Sequence, residues 1–101
     1  MNTLAEVAHY VRSKNAGPFW ITIDITCADR ERYERCVRAE SLQPEAVAAV
    51  YGVDPALVKR FELPDLCVLK ISYPRPQPQG GAVERDMHGG QQYVRLLTSP
   101  V

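Results

Sequence analysis

The sequence predicts a single α+β domain in which two helices lie between two strand-forming regions. Three observations predict it. Residues 19–26, FWITIDIT, alternate apolar and other side chains with period two. Residues 67–73 repeat that alternation, with Cys67, Leu69, Ile71 and Tyr73 on one side and Val68, Lys70 and Ser72 on the other. Between the two runs lie segments with helical spacing and helix-boundary residues. The chain has 101 residues, 46% of them hydrophobic and 24% charged. That length suits one domain, whose folding removes about 65% of the extended chain's surface from water.

In the first run Phe19, Ile21, Ile23 and Ile25 make an apolar face. The opposite face carries Trp20 and Asp24, and Asp24 is its odd member. Thr26 and Asp29 then have the spacing of a capping box. From Asp29 to Ala39 the residues Tyr33, Cys36 and Val37 fall on one stripe, and Glu31–Arg35 and Glu34–Arg38 are acid-before-base pairs four apart. A break at Ser41-Leu42-Gln43 precedes a second helix starting at Pro44, with Ala46, Val47, Val50 and Tyr51 as its inner stripe. Gly52 can close that helix in the left-handed conformation. Residues 57–63 and 66–73 then form a hairpin about Pro64-Asp65.

Residues 74–92 change character to PRPQPQGGAVERDMHGGQQ. Such a stretch buries too little apolar surface to offset the entropy of ordering, so an extended arm is expected, with residues 93–97 adding a short final strand. The opening segment reads two ways. Thr3 and Glu6 can form a capping box before a short helix, whereas Ala5, Val7, His9 and Val11 alternate as in a strand.

Two polar clusters are candidates for chemistry. Arg12-Ser13-Lys14-Asn15-Ala16-Gly17-Pro18 reads as a polar loop whose two cations, hydroxyl and amide can hold an anion, with Gly17 permitting close backbone approach. An ordinary solvated loop is the competing reading. His88, in Asp86-Met87-His88-Gly89-Gly90-Gln91-Gln92, can act as a base near neutral pH, against the plainer reading of a tail without chemistry. Asp24 is either a second catalytic group or a carboxylate held by Arg12 or Lys14.

Several classes are disfavoured. Twelve basic residues balance twelve acidic ones, which argues against general nucleic-acid binding. No apolar run approaches the roughly 18 residues of a membrane helix. The opening MNTLAEVAHY lacks the charge and apolar pattern of a secretory signal, so a cytoplasmic location is expected. Cys27, Cys36 and Cys67 are odd in number and form no CxxC pair, so they are expected as buried thiols without a metal.

Longer blocks carry a family resemblance. RSKNAGPF within residues 8–18, TIDI at 22–25, Tyr33, PEAVAAVYGV at 44–53, KISYPRP at 70–76 and the tail Asp86…Gly89-Gly90-Gln91-Gln92 recur in order. On these the chain resembles a family of small bacterial proteins of unknown function encoded beside acyclic terpene utilisation (AtuA-like) proteins. That family looks related to the ferredoxin-fold domain of AtuA-like proteins, although here the polar loop reads Ser-Lys-Asn-Ala-Gly.

The resemblance favours a strand over residues 4–12 and a small ferredoxin-like sandwich. Four mostly antiparallel strands would carry two helices on one face in the order β-β-α-α-β-β, with residues 1–73 as sandwich and 74–101 as arm. It implies an accessory subunit of an AtuA-like large subunit, completing a carboxylate- or acyl-CoA-binding site for hydration, dehydration or isomerisation in catabolism. No cofactor is expected. Arg12, Ser13, Lys14, Asn15 and Gly17 would bind substrate, His88 and Asp24 would move protons, and Arg75, Asp86, Gly89, Gly90, Gln91 and Gln92 would meet the partner. The alternatives are a self-sufficient homo-oligomeric lyase or isomerase, or a non-enzymatic carboxylate-binding module.

Overall fold

The computed structural model describes residues 2–17, 19–74 and 95–101. In chain order the elements are α1 (Leu4–Val7), β1 (Tyr10–Asn15), β2 (Trp20–Thr26), α2 (Arg30–Arg38), α3 (Pro44–Tyr51), β3 (Lys59–Leu63) and β4 (Val68–Pro74). The strands form one sheet in the order β1-β2-β4-β3, and every pair is antiparallel. The layers are those of a ferredoxin-like sandwich, and after the single turn of α1 the chain runs through them as β-β-α-α-β-β.

Period-two alternation puts Ile21, Ile23 and Ile25 of β2 opposite Tyr73, Ile71 and Leu69 of β4. These six are at most 2% exposed. They share one core with Tyr33 and Cys36 of α2 and with Val47, Ala48 and Tyr51 of α3. Fully burying a side chain of this size contributes about 1.5–3 kcal/mol, so this face dominates the stability. Tyr51 stacks on Tyr73 with ring centroids 4.2 Å apart.

Helix boundaries follow local chemistry. Asp29 itself caps α2, accepting the Arg32 N–H at 2.9 Å, so the expected Thr26 cap is displaced by three residues. The ion pairs on α2 also differ from the expected ones. Arg30 pairs with Glu34 at 3.1 Å and Arg32 with Asp29 at 2.7 Å, while Arg35 donates to the Val101 carbonyl. Pro44 opens α3 and Gly52 closes it at φ 69°. Ala48 takes the inner position expected of Val50, which is 39% exposed. The hairpin turn at Pro64–Leu66 ends on Cys67, itself left-handed at φ 53°.

The opening segment divides between its two readings. Thr3 and Glu6 make the expected local contact, the Glu6 carboxylate accepting the Thr3 N–H at 2.8 Å and its hydroxyl at 3.1 Å. Those bonds, the backbone one first, pull the Glu6 carboxyl below its usual value. Helix α1 therefore occupies residues 4–7, and the strand begins only at Tyr10. His9 is exposed beside Tyr10.

Residues 95–101, grouped with the arm on sequence, pack against the domain. Leu96 is fully buried, the Leu4 N–H donates to the Ser99 carbonyl at 2.8 Å, and Thr3 bridges Pro100. Residues 95–98 form turns in place of the expected strand end. Cys27 and Cys36 are buried with sulfurs 3.8 Å apart, whereas Cys67 is only half-buried. The contact with the Cys36 sulfur, and then burial, push the Cys27 thiol well above its ordinary range. No helix among the described residues is long and apolar enough to cross a membrane.

Candidate functional site: the open face of the sheet

The segment read as the loop Arg12–Pro18 is a strand as far as Asn15. It shows little apolar alternation because it is an edge strand, held by its in-plane bonds to β2. Its register places Arg12 opposite Asp24, Ser13 opposite Ile23, Lys14 opposite Thr22 and Asn15 opposite Ile21. Directly paired residues share a face. The expected anion-binding group is therefore split. Ser13 and Asn15 lie on the core side, and Ser13 is 8% exposed. Arg12 and Lys14 lie on the other side. Gly17 sits in the turn between β1 and β2 at φ 87°, where a side chain would strain the backbone.

The face opposite the isoleucines carries no helix among the described residues, and its side chains form rows across the four strands. One row runs Arg12, Asp24, Lys70, Phe61. Asp24 is 8% exposed although it lies on the face opposite the isoleucines. Its carboxylate lies 4.0 Å from Arg12 Nε and 4.0 Å from Lys70 Nζ, and Oδ1 accepts no hydrogen bond. Attraction at that distance with an exposed arginine is worth about 0–1 kcal/mol. Asp24 is thus held between cations without being clamped by either.

The next row runs Lys14, Thr22, Ser72, Lys59. The Thr22 and Ser72 hydroxyls share a 2.9 Å hydrogen bond. Lys59 Nζ stands 5.3 Å from the centre of the Trp20 ring. Neither Lys14 nor Lys59 has an ion pair among the described residues. A third row, Tyr10, Thr26, Val68, Leu63, completes the face. Tyr10 is 50% and Phe61 49% exposed. Among the described residues, four cations against one carboxylate make this face positive in a chain whose formal net charge is zero.

Lys59, Lys70, Thr22 and Ser72 were not singled out from the sequence. The signal was there in part, since Lys70 and Ser72 alternate out of phase with the apolar residues of β4. What joins them to Arg12 and Lys14 is strand register. His88, Arg75, Asp86, Gly89, Gly90, Gln91 and Gln92 lie outside the described residues. No cluster of metal-ligating side chains occurs among the described residues.

Two clefts lie elsewhere. One, of about 260 Å³, is bordered by Glu6, Asp29, Glu31, Arg32 and Arg35, three carboxylates facing two arginines. The other, of about 230 Å³, lies between Tyr33, Arg38 and Pro64. Neither includes a residue of the open face.

Residues 4–100 match the family described as a domain of unknown function (DUF4387), and the chain belongs to that family. No curated protein and no solved structure matches the chain.

Proposed function

We propose that this chain is a small accessory subunit whose open sheet face meets a larger protein. On the resemblance given above, that protein is an AtuA-like enzyme. The assembly's task would be hydration, dehydration or isomerisation of a carboxylate or acyl-CoA ester in catabolism, with this subunit completing the site that holds the anionic end. The observation that supports this reading best is the open face itself. It combines a buried carboxylate with one oxygen lacking a hydrogen bond, lysines without an ion pair among the described residues, and half-exposed aromatic rings. Aromatic residues and arginine are enriched at protein interfaces. Net positive charge disfavours packing this face against its own copy and favours an acidic counterpart.

A self-sufficient lyase or isomerase needs an acid and a base at one pocket. Asp24, its one described candidate, sits within the sheet between Arg12 and Lys70, away from both clefts.

Co-expression with an AtuA-like protein tests the proposal. The two chains are expected to co-migrate on a sizing column at micromolar concentration, and the small chain alone is expected to turn over no acyl-CoA or hydroxy-acid substrate. Independent migration, or turnover by the small chain alone, contradicts it.

A further inference from the structure

We infer that the row Lys14, Thr22, Ser72, Lys59 is a seat for the phosphoryl group of a phosphorylated small molecule. This deepens the reading of the open face as a site for an anionic ligand, and it rests on that reading.

The chemistry begins with a proton count. Thr22 and Ser72 together carry two hydroxyl protons. Their mutual 2.9 Å bond uses one, and no other bond engages the second among the described residues. Thr22 is 9% exposed and lies in a central strand, so this hydroxyl pair is fixed in position. A spare donor thus stands in the middle of the sheet with a lysine in register on either side. Lys14 is directly opposite Thr22, and Lys59 is directly opposite Ser72.

Four strands span about 14 Å between the outer backbones. Each lysine stem reaches about 6 Å, so both ammonium groups can arch over the hydroxyls. The cations beside this row do not compete for the same ligand, since Arg12 and Lys70 face Asp24. Asp24 occupies the adjacent row and disfavours an anion there, which confines the seat to the hydroxyl row.

Two cations and one neutral donor match a dianionic phosphoryl group better than a single carboxylate. Trp20 precedes Thr22 by two residues on the same face of β2, and Lys59 lies over its ring at 5.3 Å. When Lys59 moves to a phosphoryl oxygen it uncovers that ring. A ligand with a planar base beside its phosphates then gains a stacking surface.

The test uses the whole chain without a partner. Its backbone amide and Trp20 indole signals are followed by NMR during titration with inorganic pyrophosphate, ADP and succinate. Pyrophosphate and ADP are expected to give saturable shifts centred on Lys14, Thr22, Lys59 and Ser72; both move the Trp20 indole as Lys59 leaves its ring, and ADP moves it further by stacking. Thr22→Val, which keeps the shape and removes the hydroxyl, should weaken pyrophosphate binding about tenfold, as should Lys14→Ala. The amide spectrum of each variant shows whether it remains folded. Absence of saturable shifts up to about 10 mM overturns the inference, because a two-cation site is expected to bind at millimolar concentration or below. Succinate binding as tightly as pyrophosphate also overturns it, because the seat is then one for carboxylates. So does undiminished binding by folded Thr22→Val and Lys14→Ala. Docking of a larger protein is read separately by co-migration, so either idea can fail while the other stands.

Discussion

Two polar residues of β2 are buried almost as deeply as its three isoleucines. Ile21, Ile23 and Ile25 are 2%, 0% and 0% exposed, and Thr22 and Asp24 are 9% and 8% exposed. On the helix side, burial is matched by packing against α2 and α3. On the other side it is matched incompletely, with a hydroxyl proton to spare and a carboxylate oxygen without a hydrogen bond. Equal exclusion from water therefore does unequal work. The first face holds the fold together, and the second keeps polar groups fixed and unspent, which is what a recognition surface requires.

Substitutions on the two faces separate these roles. The largest expected loss is Ile23→Ala, which removes a wholly buried side chain from the core and should cost about 2–5 kcal/mol by denaturant midpoint. A negligible change breaks the assignment of that face to the core. The same side carries a pH dependence. Burial pushes the Tyr51 hydroxyl above its ordinary value of 10.0. The folded state then holds its proton more tightly than the unfolded state. Its contribution is complete below about pH 10 and declines as pH rises past that value toward the raised one. Melting temperatures between pH 9 and pH 11 should fall less for Tyr51→Phe than for the parent.

Smaller effects belong to the surface. Asp29→Ala removes the α2 cap and should cost about 1 kcal/mol in thermal unfolding. Asp24→Asn should cost about 1 kcal/mol or less, since its cations stand 4.0 Å away. A loss of 3 kcal/mol or more would make Asp24 a structural clamp like its core-side neighbours. Lys14→Ala and Lys59→Ala should each change stability by less than about 0.5 kcal/mol. A clear drop in either melting temperature would erase the distinction between the faces.

Much of this contrast was legible in the sequence. The alternation in FWITIDIT set the isoleucines and Asp24 on opposite sides, and the structure keeps them there. Pro44 and Gly52 marked both ends of α3 because fixed φ and permitted positive φ are local properties. The first strand, expected over residues 4–12, lies at Tyr10–Asn15, because Tyr10-Val11-Arg12-Ser13-Lys14-Asn15 has no apolar face of its own and becomes a strand through bonds to β2. Reading residues 12–18 as a loop gathered Ser13 and Asn15 with Arg12 and Lys14, which a strand separates. Lys59 and Lys70 entered the site only through register, a long-range property that composition and local spacing do not encode.

Radical footprinting of the chain alone and in complex with an AtuA-like protein tests the central claim most directly. Tyr10 and Phe61 report the open face, and Leu57 and Leu66, exposed outside the sheet, serve as references. Protection of Tyr10 and Phe61 in the complex, with Leu57 and Leu66 unchanged, is the predicted result. Unaltered labelling of Tyr10 and Phe61 in a complex that demonstrably forms would contradict the account.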